Sequence, residues 1–569
     1  MLKLKPTPKH ILMPSLPALS KNAWSRPLGG TSPFWAAPRL LIGLFIALGV
    51  GALICALIAI IWQAADLFGN SQTSSVDIFH LLRMSTIQAG LSVLLAFVTG
   101  GIVAIALTRL AFFGKPLVLA ILSAGLVLPT LVVAFGLLAI WGRAGLINDV
   151  GQSFGFGKLP FTIFGLQGIL AAHTILNGSF AARIFYDRLQ ALPSASLKLG
   201  QSLGFSPWQR FIILDWPALK STIPGLGATI FLMCFTSFSV VLLLGGGPAN
   251  ATFEVAIFEA VKLDFDLHRA AVLAAAQLAF CLFIIIPAAG LKSNSVLIGA
   301  NQNHIWQATG VAKWVTGLLL FVFMLAYVSP LLIIFYNGLE PGMFELITSA
   351  KFLNSLLTSC IIATASASIA LLCAMLLAFA RAELVYQNAS ATSTNVLRTI
   401  ISAPVFAYLA TPSIVLALGF FLLARMAGLD TSKVGIYVVI LANALLALPL
   451  ANATLGPPVE KIANKHFRLV KSLNIKGWRR FSLIELPLIR KECAYIFALG
   501  FSFSFGDLGV IALFGTDDFS TLPWMMYRAL GAYRSNDAAM LATILLFIAV
   551  FSFYIFPKLL GGRDNAHIQ

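Results

Sequence analysis

The chain has 569 residues, of which 59% are hydrophobic and 10% are charged, and its formal net charge is +17. With a mean hydropathy of +0.91, this composition excludes a soluble globular domain and predicts a protein that lies in a lipid bilayer. The positive charge is spread over short segments between apolar stretches, which is typical of membrane topology rather than of nucleic-acid binding. We therefore expect no nucleic acid partner.

The first predicted element is a basic segment, residues 1–40, with no acidic residue and no apolar core of a secretory signal. We expect it to form a disordered tail. About twelve apolar stretches follow, each near the roughly 20 residues that a helix needs to cross a hydrocarbon core about 30 Å thick. Uninterrupted apolar runs argue against a membrane β-barrel, so we predict an all-α polytopic membrane protein. The predicted spans are 41–62, 87–107, 117–141, 161–184, 223–245, 270–290, 314–336, 354–379, 399–424, 434–454, 492–515 and 538–559.

The distribution of Lys and Arg predicts the orientation, because basic residues in short loops stay on the cytoplasmic side of a membrane. The amino-terminal segment is basic, as are the loops around 185–222 and 455–491, whereas most acidic residues lie in the opposite loops. Since the number of predicted spans is even, both termini are expected in the cytoplasm.

A polar, basic segment near residue 204 lies between two apolar stretches and is repeated 270 residues later. A repeat in the loops as well as in the spans indicates a surface that is used twice. Each copy combines two aromatic residues with an arginine, which are typical anchors of protein interfaces. The identical pairs are Ser202 and Ser472, Leu203 and Leu473, Trp208 and Trp478, Arg210 and Arg480, Phe211 and Phe481, and Pro217 and Pro487.

Motifs of enzymes and metal centres are missing from the sequence. The six cysteines and seven histidines form no cluster with the spacing of metal ligands or of a disulfide framework. A phosphate-binding glycine loop and a nucleophile elbow are also missing. We predict that the chain is not an enzyme and takes no metal or cofactor. Any uphill transport then draws its energy from an ion gradient or from another subunit.

The repeated segment resembles the EAA loop of the inner-membrane permeases of bacterial ABC importers. Gly204, Leu214, Trp216 and Pro217 have its spacing, although Lys198-Leu199-Gly200 and Arg468-Leu469-Val470 stand where Glu-Ala-Ala is expected, and Asn474 replaces the glycine in the second copy. The resemblance implies that each copy is a coupling helix that binds an ATP-binding subunit. The docking residues that it predicts are Gly204, Trp208, Arg210, Phe211, Pro217, Asn474, Trp478, Arg480, Phe481 and Pro487.

The resemblance also implies two homologous six-helix halves of the type I ABC importer, or MetI-like, permease fold. The matches continue at the same offset from Phe231 and Phe501 to Gly245 and Gly515. We predict a first half over 41–295 with a coupling loop near 186–221, a linker over 296–312, and a second half over 313–569 with a coupling loop near 456–490. A pathway is expected along the pseudo-twofold axis. The implied partners are a dimer of cytoplasmic ATP-binding subunits and a periplasmic solute-binding protein.

Further stretches look like the thiamine permeases within this class. They are Gly165-Leu166-Gln167-Gly168 and Leu244-Gly245-Gly246-Gly247-Pro248 in the first half, and Gly506-Asp507-Leu508-Gly509 and Thr521-Leu522-Pro523 in the second. The expected function is therefore the import of thiamine or its phosphates across a bacterial inner membrane. Fused ferric-iron permeases share part of these patterns, so import of iron or of another small solute is the alternative. An ion-coupled secondary transporter is disfavoured, because few ionisable residues lie at membrane depth.

Three polar residues within the predicted spans are candidates for the substrate path. His173 and Asn177 lie about one helical turn apart in the fourth span, and Asp507 lies in the eleventh. Thiamine is a cationic, aromatic solute, and a carboxylate and polar groups suit it. The alternative is that His173 and Asn177 only form hydrogen bonds between helices. Asp507 has its own alternative, as a helix-end residue or as the partner of Arg528 or Arg534.

Overall fold

The computed structural model describes residues 38–67, 78–125, 127–155, 160, 162–289, 306–386, 391–475 and 477–561. These ranges contain helices and no strand, which confirms the predicted all-α class. The predicted tail, apart from residues 38–40, lies outside the described residues, and so does the part of the predicted linker over 296–305.

We call the helices before the linker the first half of the protein. They are α1 (Pro38–Leu67), α2 (Ile78–Arg109), α3 (Lys115–Ala124), α4 (Thr130–Trp141), α5 (Leu146–Ser153), α6 (Leu166–Gln190), α7 (Ser194–Ser202), α8 (Pro207–Arg210), α9 (Trp216–Lys220), α10 (Ile223–Phe235), α11 (Ser239–Leu244), α12 (Phe253–Lys262) and α13 (Leu267–Ala289). A π-helical turn, Phe211–Asp215, joins α8 to α9, and a 3-10 turn, Pro248–Asn250, precedes α12.

The helices after the linker form the second half. They are α14 (Gly310–Gly338), α15 (Met343–Thr348), α16 (Ala350–Tyr386), α17 (Ala391–Ala407), α18 (Ser413–Met426), α19 (Thr431–Ser472), α20 (Gly477–Arg480), α21 (Leu486–Phe505), α22 (Gly509–Phe514), α23 (Leu522–Gly531) and α24 (Ser535–Leu560). A π-helical turn, Phe481–Glu485, joins α20 to α21, as in the first half. A 3-10 turn, Tyr408–Ala410, follows α17.

The described residues include nine helical stretches that are long and apolar enough to cross a membrane, or up to eleven if each of two bent helix pairs is one span. The predicted number of about twelve is therefore not confirmed. The predicted fourth span, 161–184, corresponds to α6, which begins at Leu166 and is not among these stretches. Polar residues such as His173, Asn177 and Arg183 lower its hydropathy.

Two predicted spans are wrong as single helices, because each is broken at a proline. The stretch 117–141 forms α3 and α4, with Pro129 at the break, and the stretch 399–424 forms parts of α17 and α18, which are bent by 101° before Ser413. At 1.5 Å per residue, α3 is only about 15 Å long, shorter than a hydrocarbon core of about 30 Å, whereas α4 continues with α5 over Thr130–Ser153, which is one of the nine long apolar stretches. Pro129 and Pro412 immediately precede α4 and α18, and because proline disfavours helical geometry in the residue before it, neither helix is continuous with the one that comes before.

The predicted spans 223–245 and 492–515 are also interrupted, at matched positions. The first breaks over residues 236–238, between α10 and α11, and the second breaks over residues 506–508, between α21 and α22. Close packing fixes the second break: a Cβ on Gly506 would lie 2.9 Å from Pro129 of the first half. Both breaks lie where the halves meet.

The first long helix of each half packs against the other half. Helix α1 contacts α16, α17 and α18, and α14 contacts α2 and α4. Two buried tyrosines add hydrogen bonds between the halves. The hydroxyl of Tyr327 in α14 donates to the Ile121 carbonyl in α3 (3.2 Å), and the hydroxyl of Tyr408, after α17, donates to the Val50 carbonyl in α1 (3.0 Å). The predicted halves are thus interlocked rather than set side by side.

Docking segments and a central cavity

We call residues 194–220 the first docking segment and residues 468–487 the second. In the first, α7 ends at Ser202 and Gly204 turns the chain with φ +68°. The Ser206 hydroxyl accepts a hydrogen bond from the Gln209 amide, and the Gln209 side chain accepts one from the Ser206 amide, which together cap the start of α8. The segment therefore has a defined helix–turn–helix shape.

The second docking segment has the same backbone turn although its residue differs. Asn474 follows the end of α19 with φ +51°, in the left-handed region that Gly204 occupies in the first segment. After glycine, asparagine is among the residues that adopt this conformation most readily. The replacement that weakened the resemblance in sequence thus preserves the turn.

This equivalence predicts the effect of changing Asn474. Alanine at a left-handed position costs about 1–2 kcal/mol, so we expect Asn474→Ala to lower the thermal unfolding temperature of the detergent-solubilised protein, and Asn474→Gly to leave it nearly unchanged. Gly204→Ala is the matched variant in the first segment and should behave like Asn474→Ala. An unfolding temperature that is equal for Asn474→Ala and Asn474→Gly would contradict this explanation.

The predicted docking residues differ in how far they reach the surface. Trp208 is 68% exposed and stacks on Phe211 with 5.6 Å between ring centroids, and Trp478 is 75% exposed beside Phe481 at 5.0 Å. Two further leucines are exposed in each segment, and they are identical at the same offset: Leu199 and Leu203 in the first, Leu469 and Leu473 in the second. Leu199 and Leu469 were not predicted as docking residues, because in the sequence they were considered only as departures from the Glu-Ala-Ala pattern.

The expectation that Arg210 and Arg480 flank the tryptophans on the surface is wrong. Both side chains turn inward and are only 6% and 7% exposed. Arg210 Nε lies 3.9 Å from Asp215 Oδ1, and Arg480 Nε lies 2.9 Å from Glu485 Oε1. A charged group that leaves water needs an opposite charge. Asp215 supplies it in the first segment and Glu485 in the second. The sequence contained a sign of these ion pairs, because Asp215 and Glu485 are acidic residues at the same offset of 270 as the arginines.

Residues near the ends of two long helices extend both ion pairs. Arg109, at the end of α2, donates a hydrogen bond of 2.6 Å to Asp215, and Glu383, near the end of α16, accepts one of 2.5 Å from Arg480. Pro217 and Pro487 each follow a π-helical turn and stand at the start of α9 and α21. The wider turn accommodates a residue that donates no backbone hydrogen bond.

A cavity of about 210 Å³ lies between the two halves. The structure brings the three predicted polar residues His173, Asn177 and Asp507 together in its lining. Met233 and Phe503, and likewise Ser237 and Asp507, occupy equivalent positions of the two halves. The lining consists of Gly125, Val127, Leu128, Pro129, Thr130, His173, Leu176, Asn177, Met233, Ser237, Ser239, Val240, Ser502, Phe503, Gly506, Asp507 and Leu508.

His173 and Asn177 also bond between helices, as their alternative interpretation predicted. Ser92 Oγ donates a hydrogen bond to the Gln88 carbonyl (2.6 Å), so it accepts from His173 Nδ1 at 2.9 Å. His173 Nε2 is then an acceptor, and it is buried without a hydrogen-bond partner in the described part of the chain. The Asn177 amide contacts Cys234 Sγ at 3.2 Å. Both residues therefore combine interhelical contacts with a place in the cavity wall.

Asp507 caps a helix. Its Oδ1 and Oδ2 each accept a 3.1 Å hydrogen bond, from the backbone amides of Gly509 and Val510. The predicted ion pair with Arg528 or Arg534 is wrong: Arg528 pairs with Asp517, and its hydrogen bond holds the pKa of Asp517 below the ordinary value. Arg534 pairs with Asp537 at 3.3 Å. The Asp507 carboxylate is thus held by two amides on one side and lines the cavity on the other.

Two matched docking segments and a cavity between interlocked halves define a membrane permease with both halves fused in one chain. No family model matches the sequence. The chain is 34% identical over 533 residues to the thiamine transport system permease protein ThiP of Escherichia coli (strain K12), covering 93% of this chain and 97% of the relative. It is 37% identical over 478 residues to ThiP of Haemophilus influenzae, with 82% and 86% covered.

The chain therefore belongs to the family of thiamine transport system permeases, which are non-catalytic, fused permease subunits of ABC importers. A more distant relative is the Fe(3+)-transport system permease protein FbpB 2 of Haemophilus influenzae. It is 24% identical over 466 residues, with 79% of this chain and 85% of the relative covered. The predicted family and membrane class are confirmed, and the iron permeases fit less well.

Proposed function

We propose that the chain is the permease subunit of an ABC importer and forms the path of thiamine across the bacterial inner membrane. The observation that carries this proposal is the cavity between the halves, where one carboxylate, the side chains of His173 and Asn177, several hydroxyl groups and apolar surface meet in a relative of thiamine permeases. In it, Asp507 attracts the positively charged thiazolium ring, and Phe503 offers an aromatic face to the solute. His173 Nε2 accepts a hydrogen bond from an amino group of the solute.

The cavity suits an organic cation better than ferric iron. A hard metal cation needs several oxygen or nitrogen ligands at once, and the described residues contain no group of three or more His, Cys, Asp and Glu that could hold one. A single carboxylate beside apolar surface instead provides one charge contact and a large contact area. This difference, together with the lower identity to the iron permease, favours thiamine.

The docking segments supply the coupling to ATP. We propose that Leu199, Leu203 and Trp208 insert into one ATP-binding subunit, and that Leu469, Leu473 and Trp478 insert into a second one, so that two such subunits form a dimer beneath the permease. This end of the molecule then faces the cytoplasm together with both termini. A periplasmic binding protein delivers thiamine to the opposite end. ATP binding draws the segments together and opens the cavity outward, and hydrolysis reopens it inward.

Reconstitution tests this function. The permease is placed in lipid vesicles with its ATP-binding subunit, and labelled thiamine is offered with the solute-binding protein. We expect uptake that requires both ATP and the binding protein. Uptake of ferric iron but not of thiamine would replace the substrate, and uptake driven by a proton gradient in vesicles without the ATP-binding subunit would overturn the assignment to ABC importers.

A further inference from the structure

The start of the first long helix of each half contacts the docking segment of the other half. Arg39, in the first turn of α1, donates hydrogen bonds from Nη1 to both carboxylate oxygens of Glu485, at 3.0 and 2.8 Å. Its Nη2 donates a third to the carbonyl of Gly477, at 3.0 Å. Gly477 begins α20 and Glu485 ends the following π-helical turn. One side chain therefore bridges the start of α20 and the end of the π-helical turn that follows it.

Trp306, four residues before α14, occupies the equivalent place at the first docking segment. Its carbonyl accepts a 2.7 Å hydrogen bond from Arg210 Nη1, and its ring lies 4.7 Å from the Arg210 guanidinium carbon. The same ring packs on α7, because a Cβ on Gly200 would lie 3.1 Å from ring atom Cζ3. Trp306 thus joins the two helices that flank the turn at Gly204.

The two anchors differ in chemistry because the charges beneath them differ. In the second segment, Arg39 and Arg480 face Glu383 and Glu485, so charges balance. In the first, Arg109 and Arg210 face one carboxylate, that of Asp215. An additional cation would be unfavourable there. An indole face and a carbonyl instead stabilise the surplus positive charge without adding any.

We propose that Arg39 and Trp306 are positioning residues that transmit movement of each docking segment to the opposite half. The inference rests on the proposed function, since it assumes that ATP-binding subunits move these segments. Because α1, held by the second docking segment, also packs on α13 of the first half, and α14, held by the first docking segment, also packs on α24 of the second half, a segment that moves pulls a helix that is packed against the other half. Both halves then change together around the cavity, and neither segment moves its own half alone.

Spin-label distances test the anchors without depending on the solute. In a background whose six native cysteines are replaced by alanine, one pair of labels is placed at Lys198→Cys and Arg468→Cys, on the docking segments. A second pair, at Met233→Cys and Phe503→Cys, spans the cavity. In the complex with the ATP-binding subunit, we expect ATP to change both distances. With Arg39→Ala and Trp306→Ala combined, the first distance should still respond and the second should not.

Transport measurements give the second readout. We expect Arg39→Ala to lower the thiamine moved per ATP hydrolysed by about fivefold or more, in the range of typical coupling between sites, and Arg39→Lys to restore part of it. Lys313→Ala, an exposed charge in the first turns of α14, is the matched control. An unchanged ratio in Arg39→Ala, together with a cavity distance in the double variant that still responds to ATP as it does without these substitutions, would overturn the proposal. If the wild-type complex moves no thiamine, the proposed function is wrong. The proposal for Arg39 and Trp306 is then tested by the ATP response of the spin-label distances alone.

Discussion

We expect a permease carrying both Trp208→Asp and Trp478→Asp to lose its ATP-binding subunit during purification while its helices remain inserted in the membrane. Each tryptophan is more than two-thirds exposed and packs against the ring of a phenylalanine three residues later. Removal of such an aromatic anchor from an interface typically costs 2 kcal/mol or more, roughly a 30-fold rise in Kd. Burying the new carboxylate adds a desolvation penalty.

Copurification and the Kd for the ATP-binding subunit measure this effect. Each single variant should weaken binding, and the double variant should abolish it, because the two segments act on one bound dimer. Tyr533→Asp is the control: it places the same charge on an exposed aromatic residue at another turn, with a positive φ that aspartate tolerates. Retention of the ATP-binding subunit by the double variant would contradict the docking assignment.

The second large effect concerns Asp507, where charge and helix cap can be separated. Asparagine caps a helix about as well as aspartate, so Asp507→Asn keeps one oxygen acceptor for the amides of Gly509 and Val510 while it removes the charge and the second acceptor. A hydrogen bond or contact that involves a charge is worth about 1.5–3 kcal/mol. We therefore expect thiamine uptake by this variant to fall by roughly 10- to 100-fold, while the ATP-binding subunit stays bound.

The pseudo-symmetry of the cavity provides a matched rescue. Ser237 occupies the position in the first half that Asp507 occupies in the second, and it also lines the cavity. In the Asp507→Asn background, Ser237→Asp should restore part of the uptake by returning a carboxylate to the wall. If Asp507→Asn transports normally and only Asp507→Ala fails, the residue acts as a helix cap and the proposed contact with the solute is wrong.

Local backbone geometry proved the most predictable part of the molecule. The offset of 270 residues predicted two equivalent segments, and Gly204 and Asn474 share a left-handed turn because that conformation depends on each residue and its immediate neighbours. The helix breaks at Pro129 and Pro412 were not predicted. The spans were assigned from hydropathy averaged over about 20 residues, and a single proline changes that average little.

Contacts between distant parts of the chain could not be predicted. Arg210 turns inward because Arg109 and Trp306 help to form its environment, and these residues lie about 100 positions away in either direction. His173, Asn177 and Asp507 were selected as polar groups at membrane depth, which is a local property. That they line one cavity depends on how α6 and the break after α21 meet in space.

The interlocked first helices also affect how the protein is made. Helix α1 leaves the ribosome before its neighbours on α16 exist, since α1 ends at Leu67 and α16 begins at Ala350. At 5–20 residues per second, synthesis of the intervening chain takes roughly 15 to 60 s. During this time the surface of α1 that later contacts α16 has no partner from its own chain. Because both halves are synthesised as one chain, each molecule contains one copy of each half. The two unequal docking segments are therefore always present together in one permease.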